Sequence, residues 1–153
     1  MMNINVNGNE YKVEFSFGAA ECKEIVQKMF SVVNGSYLLA QTDKSVAQAS
    51  FDGLANMTAD VPEICILAIY AGCIDNNPVT MDEAKELTRA YITEKRKTDK
   101  SYGYRTLFEE IKKAMEDDGF FELSGITAML EEMANNVEAV SYTHLTLPTT
   151  ERV

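Results

Sequence analysis

Histidine, grouped glycines and positive charge are all scarce in this chain, and each scarcity argues against a class of function. The only histidine is His144, close to the C-terminal end. The eight glycines are scattered, so the sequence contains no glycine-rich phosphate-binding loop. The 14 basic residues are outnumbered by 24 acidic ones, and the resulting net charge of −10 argues against binding to a nucleic-acid backbone.

Cysteine is also rare, with three residues at Cys22, Cys65 and Cys73. An odd number of cysteines in apolar helical settings predicts a reducing cytoplasm and no disulfide framework. Cys65 and Cys73 lie about two turns apart on one predicted helix, too far apart to share a metal or a disulfide. The N-terminus has no basic segment followed by an apolar one, so nothing indicates secretion. We expect no catalytic residues, no metal and no cofactor, and therefore not an enzyme.

The C-terminal end changes character abruptly at VSYTHLTLPT, residues 140–149. Residues 140–150 resemble the in-frame translation of a transposase-type sequencing-library adapter, a contaminant found at the ends of metagenomic contigs. Such segments are set aside from the structural argument. We therefore expect one domain over residues 1–139 and a non-native tail over residues 140–153, which would contain the only histidine.

The longest nearly unbroken apolar run is PEICILAIYAGCI, from Pro62 to Ile74. A helix that is apolar on nearly all sides must be surrounded by protein, so this run predicts the central core helix. Pro62 suits a first helical position, where its missing N–H costs nothing. The run is shorter than the ~20 apolar residues that span a bilayer, so we predict no membrane helix.

The segments around this run predict a small hairpin and several amphipathic helices. Asn7-Gly8 between alternating apolar residues indicates a hairpin, with Tyr11, Val13, Phe15 and Phe17 on one face. Before the apolar run we predict a helix over residues 18–33 and a helix capped by Ser45 that buries Phe51 and Leu54. After it we predict a helix that begins at the capping box Thr80–Glu83, followed by an exposed linker Lys95–Tyr104. A helix Tyr104–Asp118 and a last helix capped by Ser124 complete the chain.

The predicted fold class is therefore mainly α (α+β), with an N-terminal β-hairpin followed by a bundle of about five helices. Asp75 to Glu86 has some spacing of a calcium loop, but Val79 and Thr80 stand where a ligand and a glycine are required, so a turn and a cap explain it better. The clustered acidic residues of the last helices fall opposite their apolar positions, which is typical of a solvated face.

The connector between the last two helices resists a purely structural explanation. Phe120 and Phe121 are adjacent, so they cannot easily face one core, and an exposed aromatic side chain would suit a partner contact. Both interpretations stay open. If the hairpin edge, the connector and the last helix form a partner-binding surface, its candidate residues are Phe120, Phe121, Leu123, Met129 and Met133.

The order of segments resembles the tail assembly chaperone family of long-tailed bacteriophages and prophages of Gram-positive bacteria. The matching features are INVNGNEY leading into FSFG, then FDGL, the IYAG run, PVT before a helix, and a closing LFEEIKKAMEDDGFFEL. The resemblance covers about residues 1–139 and contains no catalytic signature.

This resemblance implies a non-enzymatic protein of the bacterial host cytoplasm that is absent from the mature virion. Its partners would be the tape-measure protein, whose apolar helices it keeps soluble, and the tail-tube protein, with self-association left open. Nucleic acid and membrane are not expected as partners. Two alternatives also stay open: a structural head–tail connector component, and an acidic DNA-mimic inhibitor.

Overall fold

The computed structural model describes residues 1–35 and 46–136 of the chain. Within them, a two-stranded antiparallel sheet precedes a bundle of seven helices, which confirms the predicted mainly α fold with an N-terminal hairpin. The elements are β1 Met2–Val6, β2 Asn9–Val13, α1 Phe17–Glu21, α2 Lys23–Val33, α3 Val46–Cys73, α4 Met81–Arg96, α5 Tyr104–Asp117, α6 Phe120–Leu123, and α7 over residues 126–136.

The hairpin turns at the predicted dipeptide. Asn7 and Gly8 both have positive φ, 51° and 78°, and Val6 pairs with Asn9. This is the geometry of a two-residue hairpin turn in which both central residues have positive φ. Val13 and Phe15 are fully buried. The expected place of Phe17 on the same face is wrong, because β2 ends at Val13 and Phe17 opens α1 with 65% of its surface exposed.

The helix predicted over residues 18–33 is two helices in the structure. Cys22 has φ −81° and ψ 99°, an extended conformation that ends α1 and lets α2 start in a new direction. The break follows from two separate attachments. The Gly18 amide donates to the Asp75 carboxylate over 3.0 Å at the end of α3, whereas α2 packs further back along α3 through Ile25 and Met29.

The two helices predicted on either side of Pro62 are one helix, α3, in which Pro62 is an interior residue. The preference of a residue before proline for extended backbone is overridden here by burial of the run that follows. Ile64 and Ile69 are fully buried, as predicted for a core helix. The expected burial of Phe51 and Leu54 is wrong, since they are 69% and 57% exposed. The predicted cap Ser45 lies outside the described residues.

The capping box that was predicted to open α4 is present. The Thr80 hydroxyl accepts from the Glu83 amide, and the Glu83 carboxylate accepts from the Thr80 amide, both over 3.1 Å. The exposed linker predicted after α4 is partly wrong. Tyr102 is only 4% exposed because its ring packs edge to face on Tyr91, and Arg96 donates to its carbonyl oxygen.

The predicted helix α5 buries the expected apolar face and ends before Gly119, whose φ of 73° suits glycine. The predicted cap of the last helix is wrong. Ser124 follows α6 and its hydroxyl donates to the Phe121 carbonyl, while the Gly125 carbonyl accepts the first amide bond of α7, from Met129. The face of α5 consists of Leu107, Phe108, Ile111, Ala114 and Met115.

The hairpin is seated on the C-terminal end of α3. The Glu14 amide donates to the Gly72 carbonyl over 2.9 Å, and the Asn77 side chain donates to the Lys12 carbonyl over 3.0 Å. A Cβ atom at Gly72 would lie 2.3 Å from Cγ1 of Val13, so only glycine admits this approach. α3 and the turn that follows it therefore contact the hairpin at the end of β2.

Candidate functional site

The three cysteine thiols are poor candidates for chemistry. Burial raises the pKa of Cys65 to about 12 and that of Cys73 to about 11. Partial burial also raises the pKa of Cys22, which lies at the break between α1 and α2. A thiol needs a lowered pKa to act as a nucleophile or metal ligand near neutral pH, and these have the opposite shift. All three are free thiols.

Acidic side chains in the described residues do not assemble into a site. No group of three His, Cys, Asp or Glu residues in residues 1–35 and 46–136 could hold a metal ion. Asp75 and Asn77 had the spacing of calcium ligands, but their side chains form hydrogen bonds within the fold. The Asp75 carboxylate accepts from the Gly18 amide, and the Asn77 side chain donates to the Lys12 carbonyl. Two acidic residues expected on a solvated face have internal partners: Glu110 accepts from the Tyr91 hydroxyl, and Asp118 accepts from the Phe15 amide.

The structure divides the Phe120–Leu123 connector between core and surface. Phe120 is fully buried, and its ring meets that of Phe15 edge to face with the centroids 6.2 Å apart. It therefore belongs to the core and offers no surface to a partner. Phe121 is half-buried against Phe120, with centroids 5.5 Å apart, while Leu123 is 44% exposed.

The two methionines predicted for partner binding are both on the surface of α7. Met129 is 48% exposed and Met133 is 43% exposed. Their spacing of four residues places them on one face of the helix, one turn apart. These two exposed side chains form an apolar surface near the end of the described chain, which we call the methionine face.

Met129 also borders a groove of about 470 Å³ between α2 and α7. On the α2 side its apolar residues are Val26 and Phe30, again four residues apart, and on the α7 side they are Ile126 and Met129. No charged residue contributes to its walls. We call it the α2–α7 groove; its other lining residues are Gln27, Ser31, Ser124 and Gly125.

A larger groove of about 850 Å³ lies on the other side of α2, where α2, α3 and α4 meet. We call it the three-helix groove. Gln27 and Ser31 border both grooves, so a single ridge of α2 separates them. The lining is completed by Ala59, Pro62, Ile66, Leu67 and Met81, and by Glu24, Glu63, Lys28 and Lys85.

The charges of these grooves differ from those of the whole chain. The three-helix groove has two carboxylates and two ammonium groups, and the α2–α7 groove has no charged lining residue, so each is formally neutral. The chain as a whole has a net charge of −10. The acidic excess therefore lies away from the two concave apolar surfaces.

One helix segment in the described part of the chain, Phe51–Cys73, is long and apolar enough by length and composition to cross a membrane, with a mean hydropathy of 1.3. The core helix of a folded protein has the same properties. In this fold the second half of the segment supplies fully buried residues, including Ile64, Cys65 and Ile69, to the core.

Comparison with known proteins yields no relative: no protein-family profile, no curated protein and no solved structure matches the chain.

Sequence reasoning identified the exposed methionines but missed both grooves. A signal for the α2–α7 groove was present, because Val26 and Phe30 continue the apolar stripe of α2 beyond the buried residues Ile25 and Met29. A stripe wider than the neighbouring helices can cover leaves apolar surface for something else. Nothing in the sequence placed α7 beside it.

Proposed function

We propose that this chain is a non-enzymatic phage tail assembly chaperone that binds apolar helical segments of the tape-measure protein. It keeps that client soluble and helps recruit tail-tube subunits before it leaves the assembling tail. The observation that carries the proposal is the methionine face beside the α2–α7 groove, a concave apolar surface without charged walls on a strongly acidic protein.

This surface suits a helical client for geometric reasons. An amphipathic helix binds a groove through side chains spaced three or four residues apart. The groove presents its own apolar residues at that spacing, with Val26 and Phe30 on one wall and Ile126 followed by Met129 on the other. Methionine is flexible and polarisable, so a surface built from it adapts to many apolar sequences. A chaperone of a long helical client needs this tolerance.

The charge distribution supports the same proposal. A surface that binds a client mainly by burying apolar area gains affinity from the hydrophobic effect, which salt does not screen. The net charge of −10 keeps the complex dispersed while the apolar surfaces are in contact. A DNA mimic would instead need its carboxylates concentrated at the binding surface, and these grooves are neutral.

The client is named as the tape-measure protein because the sequence resembles tail assembly chaperones. This resemblance rests on the INVNGNEY hairpin, the IYAG run and the closing GFFEL connector. In the structure these three segments form the hairpin, the C-terminal end of α3 and the helix α6 with the glycine before it. The resemblance and the methionine face are independent supports, since one comes from turns and core positions and the other from exposed side chains.

Co-expression with the tape-measure protein encoded nearest to this gene tests the proposal. The wild-type chain should keep the client in the soluble fraction and co-purify with it. Met129→Ser combined with Met133→Ser should lose both effects, while Glu131→Ser combined with Glu132→Ser, on the same helix, should keep them. Equal solubility of the client with and without the wild-type chain would rule the proposal out.

A further inference from the structure

The proposed function leaves the three-helix groove unused. Its volume of about 850 Å³ is in the range of pockets that enclose whole ligands. Its apolar lining includes Pro62, Ile66 and Leu67 of α3, with Met81 of α4 beside them. Met81 is 43% exposed, so this lining is accessible from outside.

The length of the groove matches two turns of a helix. Its α3 side extends from Ala59 to Leu67, and eight residues of helix rise about 12 Å. Its α2 side extends from Glu24 to Ser31 over nearly the same length. A helix laid along this channel would place three apolar side chains, at i, i+3 or i+4, and i+7, against the lining.

The groove also carries charges of both signs. Lys28 stands on α2, Lys85 on α4 and Glu63 on α3. None of the three forms an ion pair with another described residue. A bound helix would therefore meet two ammonium groups, from Lys28 and Lys85, and two carboxylates, from Glu63 and from Glu24 of α2, so it would need charges of both signs itself.

We propose that the three-helix groove binds two turns of an amphipathic client helix that has both a basic and an acidic side chain beside its apolar stripe. The basic side chain meets Glu24 and Glu63, and the acidic one meets Lys28 and Lys85. This site is separate from the methionine face. The inference rests on the proposed function for the identity of the client, but its chemistry can be tested with synthetic peptides alone.

The test uses three helical peptides that share one apolar stripe and differ only in two flanking positions: Lys with Glu, Lys with Lys, or Glu with Glu. Fluorescence anisotropy measures their binding to the full chain. The mixed peptide should bind about fivefold more tightly than either like-charged peptide, as expected for about one exposed ion pair. Equal affinities for all three would overturn the inference.

Charge-reversal variants locate the effect. Lys85→Glu should shift the preference to the Lys–Lys peptide, and Glu63→Lys should shift it to the Glu–Glu peptide. Lys100→Glu and Glu132→Lys change the net charge by the same amounts outside the groove and should leave the preference for the mixed peptide intact. If these controls shift the preference as much as the groove variants do, the peptide responds to total charge and the site is not in this groove.

One further variant completes the test. Met129→Ser with Met133→Ser removes binding at the methionine face, so the preference for the mixed peptide should persist in this variant. Loss of that preference would place the charge-selective contact on the methionine face and refute the inference. Failure of the chain to solubilise the tape-measure protein would refute the proposed function and leave the peptide result standing.

Discussion

The rings of Phe15 and Phe120 meet edge to face with their centroids 6.2 Å apart, and neither side chain is exposed. Phe15 leaves the hairpin and Phe120 opens α6, so this pair joins the first and the last parts of the described fold. The Asp118 carboxylate accepts a hydrogen bond from the Phe15 amide over 3.0 Å, which reinforces the junction. The connector thus closes the core at Phe120, while Leu123, three residues later, lies on the surface.

Replacing Phe120 by alanine should lower the free energy of unfolding by about 3–5 kcal/mol, since a fully buried ring is lost and a cavity remains. Leu123→Ala, only three residues away but 44% exposed, should cost far less. Urea titration followed by circular dichroism measures both. Similar losses for the two variants would contradict the assignment of Phe120 to the core.

Gly72→Ala should destabilise the fold by about 1–3 kcal/mol, because the added methyl group would lie 2.3 Å from Cγ1 of Val13. Val13→Ala removes the atom that clashes. In a double-mutant cycle, the cost of Gly72→Ala should therefore be clearly smaller in the Val13→Ala background. Additive costs would mean that the hairpin does not approach α3 at this point.

Two neighbouring tyrosines should respond differently to loss of the hydroxyl group. Tyr91 donates to the Glu110 carboxylate over 3.0 Å, so Tyr91→Phe should cost about 1 kcal/mol of unfolding free energy. The Tyr102 hydroxyl is buried without a hydrogen-bond partner in the described structure. Tyr102→Phe should therefore be neutral or stabilising. A larger loss from Tyr102→Phe than from Tyr91→Phe would reverse this assignment.

Alkaline pH should destabilise the fold through its buried thiols. Burial raises the pKa of Cys65 to about 12 from an ordinary value of 9.0, so above pH 9 the unfolded chain loses this proton first. The stability contributed by the protonated thiol is fully present below pH 9 and declines as the pH rises toward 12. Chemical denaturation between pH 7 and 11 should show the decline, and Cys65→Ala should make it shallower. An identical pH dependence in both proteins would exclude Cys65 as the cause.

Local signals predicted those parts of the fold where neighbouring residues decide the conformation. Asn7-Gly8 defined the turn because both positions need positive φ, and Thr80 with Glu83 defined the start of α4 because both partners of the capping box are local. The break at Cys22 was missed by the local pattern, which also gives no sign that Gly18 of α1 bonds to Asp75, 57 residues away. Pro62 was misleading for the same reason, since burial of the following run keeps α3 continuous.

The residues of the candidate site also differ in how well the sequence predicts where they lie. Met129 and Met133 are exposed, so their predicted role in partner binding stays a prediction, whereas Phe120 turned inward to meet a ring more than 100 residues earlier. Adjacent aromatic residues in a connector give no information about which of them finds a distant partner. The grooves depend on how α2 lies between its neighbours, and helix packing is a property of the assembled fold rather than of one segment.

The central claim is that the methionine face binds apolar helices of the tape-measure protein. Isothermal titration of the purified chain with a helical tape-measure segment tests it most directly, comparing the wild type with Met129→Ser/Met133→Ser at low and high salt. The account predicts saturable binding by the wild type that changes little with salt, and a loss of tenfold or more in the variant, corresponding to about 1.4 kcal/mol. Unaltered affinity in the variant, or binding that disappears in high salt, would contradict it.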